Sequence, residues 1–553
     1  MFYYIYKESL VFKLFRLLFL RNTDNFIFWK RFSSNKDNYL QNPPNGEFYI
    51  LQKKSRKHIS EYYSNLLRDC DDRYFVDYVK KSVSYPFSDY YAFMAAVEQH
   101  ASKKQGSYKV IGGGFLDKIY RKKSEGFSYS SLIIFIVATF FTLVKITKKI
   151  FLCLISINGI DMPDIIFYRK KNLPDPVGYK DFVSQKFNKK VSSELFSFNY
   201  NTSMSNDIIS LDKFKHSFIC SILSLQLLII NIYKDIVWLV RLNLPMRFLY
   251  NYMQSVFDAS MIVKLNFKIM VGVLEKPIFI MVNKLKQDFQ KVGVIGDSFL
   301  FDPVVHSDYV YGDSFYAWNN IDYSHINENG GAFSRVLFVG CPRSRKKTIS
   351  EGVSKELGEL INEYNKVVLV TTTQMYQYDK VYYPFSINDL DRFIDEINVL
   401  AKKHKNKLFI IKYKKGEYRY LDNKIYNEST RLKNVFPILS DIPLELKFNQ
   451  FEDLINKADL LISICCWSTT IWQALEKNTP VIACNNELPK SFLSLFDNLE
   501  VKYSNIGKSI DYWLGLSDED FQDFLINIDE MTNLSLNGTE LLFKDLNELL
   551  HQE

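Results

Sequence analysis

The sequence lacks paired cysteines. Its seven cysteines, at positions 70, 153, 220, 341, 465, 466 and 484, are odd in number and show no CxxC spacing. That excludes an ordinary disulfide framework or zinc ribbon and favours a reducing compartment. Adjacent Cys465 and Cys466 would point to opposite faces of a strand, poor geometry for one metal, so they are expected to pack as small hydrophobes. There is no HExxH, no GxSxG and no kinase motif set, so protease, esterase and kinase chemistries have no sequence support. No internal repeat or low-complexity tract is present. Net charge is only +8 over 553 residues, with basic residues widely spread, which does not favour a nucleic-acid partner.

What is present is apolar and long. A hydrophobic fraction of 47% with 24% charged residues describes a globular chain of two or three domains with sizeable cores. The N-terminal "MFYYIYKESLVFKLFRLLFLRN" is interrupted by Lys7, Lys13 and Arg16 and reads as a basic amphipathic helix at a membrane interface, not as a secretory signal. Two uncharged runs, 126–144 and 217–233, raise the question of membrane crossing. The expectation is two apolar helices that dip into one leaflet or pack on each other, with all soluble parts in the cytoplasm; a single span at 126–144 is the alternative.

Three regions follow along the chain. Residues 1–125 are mixed, with a helical "YYSNLLRDCDDRYFVDYVKKSV" and a strand, Gly112–Gly114 turn and helix in "YKVIGGGFLDKIYRKK". The glycines match neither a dinucleotide fingerprint nor a P-loop, and a tight turn is the expectation. Residues 126–330 hold the apolar helices, strands "PDIIFYRKK" and "ELFSFNYN", long helices over 208–290, and a turn dense in Asp297, Asp302, His306 and Asp308 before a strand "DYVYG". Residues 331–553 alternate continuous apolar strands with helices: "RVLFVG", "KVVLVTTT", "KLFIIKY", "VFPIL", "DLLISIC" and "TPVIAC". Such alternation predicts a doubly wound parallel sheet, with ligands at the strand carboxyl ends.

Within the last region, "DLLISIC" predicts a buried strand, "CWSTT" a turn, and "TTIWQALEKN" a helix capped by Ser468, Thr469 or Thr470. Hydroxyls and free amides at that helix start suit a diphosphate.

These elements, Asp459 before "LLIS", "STT" at 468–470, "QAL" at 473–475 and "TPVI" at 479–482, resemble the donor half of GT-B fold glycosyltransferases. The likeness extends to "VLFVGCPRSRK" and "LFIIKYKKGE", similar to segments of capsule and surface-polysaccharide transferases. The resemblance implies an α/β fold of two Rossmann-like domains, with the apolar helices as a membrane-associated insertion in the N-terminal half. It implies a metal-independent glycosyltransferase without a cofactor, the nucleotide-sugar being a co-substrate. Its partners would be a nucleotide-activated sugar, a lipid-linked or polysaccharide acceptor and the membrane surface. Donor contacts are expected from Gly340, Arg343, Lys412, Ser468, Thr469, Thr470 and Gln473, where Gln473 stands in place of a glutamate that many relatives use for the donor ribose. Lys412, Lys414 and Lys415 occupy a segment where relatives carry a lysine-histidine motif. Asp297, His306 and Asp302 are the candidates to deprotonate the acceptor. Two other readings stay open: a CDP-glycerol or ribitol type polyol-phosphate transferase, and a catalytically silent scaffold of the same fold.

Overall fold

The computed structural model describes residues 2–5, 26–28, 45–104, 107–122, 129–155, 165–169, 195–197, 218–264, 267–273, 277–296, 309–328, 330–340, 352–372, 387–414, 417–439, 450–464, 469–485, 498–532 and 538–551. The chain starts with a strand. β1 (Phe2–Ile5) pairs in parallel with β2 (Phe26–Phe28) and β3 (Tyr108–Ile111). The interfacial helix expected at the N-terminus is therefore corrected over these residues. The aromatic and β-branched run Phe2–Ile5 prefers a pleated surface, and Tyr4 is fully buried there. Helices α1 (Asn45–Leu66), α2 (Arg73–Lys104) and α3 (Phe115–Tyr120) follow around this sheet. Asp72 Oδ1 accepts from Phe75 N (3.0 Å) and starts α2, which breaks the single helix expected across "RDCDD". The triple glycine is a packed turn: a Cβ on Gly113 would sit 2.5 Å from the Tyr90 hydroxyl oxygen.

A six-stranded parallel sheet comes next, in the order β5-β4-β6-β7-β8-β9. Its strands are β4 (Ile165–Arg169), β5 (Leu195–Ser197), β6 (Ile269–Val273), β7 (Lys291–Ile295), β8 (Tyr311–Ala317) and β9 (Ala332–Phe338). The helices are α4 (Tyr129–Ile155), α5 (Phe218–Arg241), α6 (Met246–Lys264), α7 (Ile278–Leu285) and α8 (Asn320–Glu328). Three sequence expectations change. The helical stretch 208–290 contains β6. The strand placed at "DYVYG" runs over 311–317. The strand in "RVLFVG", assigned to the C-terminal sheet, pairs with β8 through Tyr316↔Leu337 and belongs to the N-terminal one. Residues from 1–125 and from 126–330 share one continuous core, with Tyr4, Phe75 and Phe93 in the same cluster as Met253, Phe257 and Phe315.

The C-terminal body holds a second six-stranded parallel sheet, ordered β12-β11-β10-β13-β14-β15. In chain order its elements are α9 (Lys355–Asn362), β10 (Lys366–Thr371), α10 (Ile387–Lys403), β11 (Lys407–Tyr413), α11 (Asn423–Arg431), β12 (Val435–Leu439) and α12 (Phe451–Ile455). They continue with β13 (Leu460–Ser463), α13 (Thr469–Leu475), β14 (Val481–Cys484), β15 (Glu500–Val501), α14 (Ile506–Gly515), α15 (Asp518–Thr532) and α16 (Gly538–His551). Ser354 and Asp422 cap α9 and α11 through their side-chain oxygens. Strands β10, β11, β13 and β14 are almost wholly buried, as continuous apolar runs between two helical layers must be. The fold is thus α/β with two Rossmann-like domains and two apolar helices in the N-terminal half.

The last helix returns to the first domain. Leu542, Phe543 and Leu546 of α16 pack with Ile269, Val271 and Tyr316 of the N-terminal sheet. Buried Asp545 accepts from Tyr316 Oη (2.7 Å) and from Arg335 Nη2 (2.8 Å). Asp545→Ala leaves the Tyr316 hydroxyl buried without an acceptor and is expected to cost about 2–3 kcal/mol in urea unfolding, against about 1 kcal/mol for Tyr316→Phe.

A second stability test uses His404, at the amino edge of β11. Lys407 Nζ donates to His404 Nδ1 (3.1 Å), and His404 Nε2 is buried with no partner among the described residues. Burial and, next, the Lys407 charge push the imidazole pKa below 6.5. The folded state therefore favours neutral histidine: its stabilisation is complete above pH 6.5 and is lost as pH falls through the lower folded value. His404→Gln should flatten unfolding midpoints between pH 7 and pH 5; an unchanged slope would contradict this assignment.

Candidate active site

All strands of each sheet run one way, so each sheet has one edge made of strand carboxyl ends, where the following turns collect. In the C-terminal sheet the strand order reverses between β10 and β13, the topological switch point at which crossovers diverge and open a crevice. Thr371, the last residue of β10, lies opposite Ser463 of β13 and Lys412 of β11. Its carbonyl accepts from Ile464 N (3.1 Å), and Thr372 N donates to Lys412 O (3.3 Å). Thr372 Oγ1 accepts from Lys414 N (2.9 Å), which ties the lysine-rich turn after β11 to the end of β10. The Thr371 hydroxyl is buried and has no hydrogen-bond partner among the described residues.

Helix α13 opens at Thr469, six residues after β13 ends at Ser463. Ile471, Trp472, Ala474 and Leu475 are buried, which leaves Thr470 and Gln473 half-buried on the remaining face. The helix stops at Asn478 in a left-handed conformation (φ 56), with Thr479 N donating to Ala474 O (2.9 Å). Pro480 then sends the chain into β14.

Trp472 also meets the other domain. Its ring lies 5.7 Å from that of Trp318, the residue that follows β8. Trp318 Nε1 donates to the carbonyl of Gly296 (2.8 Å), the residue that follows β7. The carboxyl edges of both sheets are therefore turned toward each other. Gly340 ends the segment after β9 on the same edge of the first sheet, with a φ of 73 that only glycine adopts without strain.

Of the expected donor contacts, Lys412, Thr469, Thr470 and Gln473 are on the carboxyl edge of the C-terminal sheet, and Gly340 is on that of the N-terminal one. Arg343, Ser468, Asp297, Asp302 and His306 lie outside the described residues, as do Cys465 and Cys466. Cys484 is a fully buried residue ending β14, and Cys70 is half-buried. Among the described residues, no three His, Cys, Asp or Glu side chains are placed to hold a metal ion. Asp459 turns out to be a fastener at the far edge: its Oδ2 accepts from Val367 N (2.7 Å) and its Oδ1 from Lys366 Nζ (3.0 Å). Sequence reasoning missed the contact of Trp318 with Trp472, since nothing local shows that a tryptophan after one strand will meet another about 150 residues on.

A cavity of about 450 Å³ lies elsewhere, at the amino ends of β8 and β9, lined by Arg68, Asp71, Arg73, Asp77, Lys80 and Tyr309 among others. Its charges are largely matched internally. Asp77 accepts from the Tyr311 hydroxyl and faces Arg73 Nε (3.6 Å) and Lys80 Nζ (3.9 Å). Burial pushes the Lys80 ammonium pKa down. Size alone does not make it the active site, because the facing strand ends are at the opposite edge.

No protein-family model matches the sequence, and no curated protein matches it. Among solved structures the chain is similar to several enzymes, three of them as follows. The Rickettsia bellii UDP-N-acetylglucosamine 2-epimerase is 11% identical, with a TM-score of 0.42 over 70% of this chain and 97% of that one. MnaA from S. aureus, solved with UDP, is 12% identical, with a TM-score of 0.42 over 71% and 98%. The wall teichoic acid polymerase TagF is 13% identical, with a TM-score of 0.42 over 77% and 100%. The chain's own topology, two Rossmann-like domains joined at facing carboxyl edges, is GT-B-like.

Two substitutions separate structure from site. Trp318→Ala should cost about 3–5 kcal/mol in thermal unfolding, as for other buried aromatics. Thr371→Val replaces a hydroxyl that has no partner among the described residues with a methyl of similar size and should stay within about 1 kcal/mol of the parent or stabilise it.

Proposed function

We propose that the chain transfers a sugar from a nucleotide-activated donor to a lipid-linked or growing surface polysaccharide at the cytoplasmic face of the plasma membrane. The observation that carries this reading is the meeting of two strand-carboxyl edges through Trp318 and Trp472 beside the β10/β13 switch point. A donor in that crevice places its diphosphate at the start of α13, where Ser468, Thr469, Thr470 and the first-turn amides can donate hydrogen bonds. Lys412 and Arg343 supply positive charge as negative charge develops on the leaving phosphate, so no metal is required. Gln473 serves the ribose hydroxyls through its amide, without the charge of a glutamate. Gly340 lets the backbone between the domains pass close to the donor.

The acceptor hydroxyl must lose a proton as the new glycosidic bond forms. Asp297 follows Gly296 directly, at the carboxyl end of β7, and is our first choice as base. Asp302 and His306 follow within ten residues of Asp297 in the chain and are the other two.

The test is a panel of radiolabelled UDP-, GDP-, CMP- and CDP-linked donors, CDP-glycerol and CDP-ribitol included, incubated with membranes carrying the full chain. Transfer from one nucleotide-sugar is expected, and transfer of a polyol phosphate instead would replace the sugar by that group. Neither transfer nor nucleotide binding with any donor would leave only the silent scaffold. Replacing Ser468, Thr469 and Thr470 together by alanine should weaken donor binding at least about tenfold, equivalent to roughly 1.4 kcal/mol, with an unchanged unfolding midpoint.

A further inference from the structure

Helices α4 and α5 are built inside out relative to those of a water-soluble protein. On α5 the buried face carries Ser224, Leu228, Asn231, Asp235 and Leu239, three of them polar. Its outer face carries Ile222, Ile229, Tyr233 and Val237, the last two 78% and 67% exposed. On α4 the buried residues among those described are Ser131, Phe135, Ala138, Thr142 and Ile146, three of the five small or polar, whereas Ile133, Phe140 and Phe141 are 61%, 63% and 52% exposed. Small and polar side chains between helices with large apolar ones outside is the arrangement of protein surfaces that face lipid.

The inner faces are fastened to the domain. Ser131 Oγ donates to Asn243 (2.7 Å), Lys145 Nζ to Tyr250 (2.5 Å), and Asp235 accepts from the Tyr252 hydroxyl and from Lys284 (3.4 Å). The fold also forbids crossing. β4 lies between α4 and α5 in sequence yet pairs with β6, which follows α5, through Ile165↔Ile269. α2 precedes both helices, yet Tyr78 Oη donates to Asn251 O (3.1 Å) on α6. Whichever helix crossed a bilayer, one of these contacts would have to break.

We infer that the joined outer faces of α4 and α5 form a seat that lies in one leaflet of an anionic membrane. Charge selects lipid over a second copy of the chain. No acidic residue occurs in 129–155, and the one in 218–241, Asp235, is buried, whereas Lys148, Lys234 and Arg241 are exposed. A two-fold contact would set these cations against one another; phosphate headgroups neutralise them. This goes beyond the transfer reading and holds whatever the donor is.

The experiment uses the full chain, without donor, in flotation with vesicles of phosphatidylcholine alone or mixed with phosphatidylglycerol. The parent should float with the anionic vesicles and much less with the neutral ones. Exposed-face variants Ile136→Glu/Phe140→Glu/Val144→Glu and Ile229→Glu/Val237→Glu should each reduce flotation at least tenfold with circular dichroism unchanged. Lys148→Glu/Arg241→Glu should abolish the preference for anionic lipid. Protease added outside the vesicles should leave no protected fragment; a protected fragment containing 129–148 or 222–241 would overturn the in-plane seat. Failure to float, together with a dimer that the same glutamates dissociate, would assign the face to a second copy. Because flotation is scored without donor, its failure leaves the transfer reading standing, and the converse.

Discussion

Parallel strands cannot be joined by tight turns; each return needs a crossover, and every strand then ends on the same edge. That constraint acts twice here, once in each six-stranded sheet, and leaves two edges rich in turns. Trp318 against Trp472 turns those edges toward each other, while Asp545 of α16 holds the C-terminal helix under the first sheet through Tyr316 and Arg335. The joint is therefore fixed by contacts far apart in sequence, and the placing of Thr371 beside Ser463 is a consequence of strand order, not of any one motif.

The same economy governs the membrane face. α6, with twelve of its nineteen residues buried, packs against both apolar helices and against α7. Asn243, just before α6, and Tyr250 and Tyr252 on it bond to partners on α4 and α5, so these helices are fastened to the first domain.

Much of the C-terminal domain was legible because β10, β11, β13 and β14 are continuous apolar runs bounded by capped helices, and such runs have few other folds open to them. The N-terminal half was harder. β6, "IMVGV", sits among helices with the same apolar composition, and periodicity over five residues cannot separate strand from helix. β9 was recognised as a strand but given to the wrong sheet, since a strand's partner is set by tertiary pairing and not by its own residues. At the site, the helix start at Thr469 and Thr470 and the strand end at Thr371 and Thr372 were readable from caps and the strand pattern, whereas the tryptophan pair emerges only when distant strand ends are brought together. Asp459 was readable as the head of a strand, but its task of fastening β13 to β10 depends on their pairing.

The central claim is that a nucleotide diphosphate binds at the carboxyl edge of the C-terminal sheet. Photolabelling the full chain with azido derivatives of the nucleotide that binds, followed by peptide mapping, tests it most directly. The account predicts crosslinks in the peptides that hold 371–376, 412–417 and 465–473. Crosslinks confined to the amino edge, around Asp459 and His404 or around the Lys80 cavity, would contradict it.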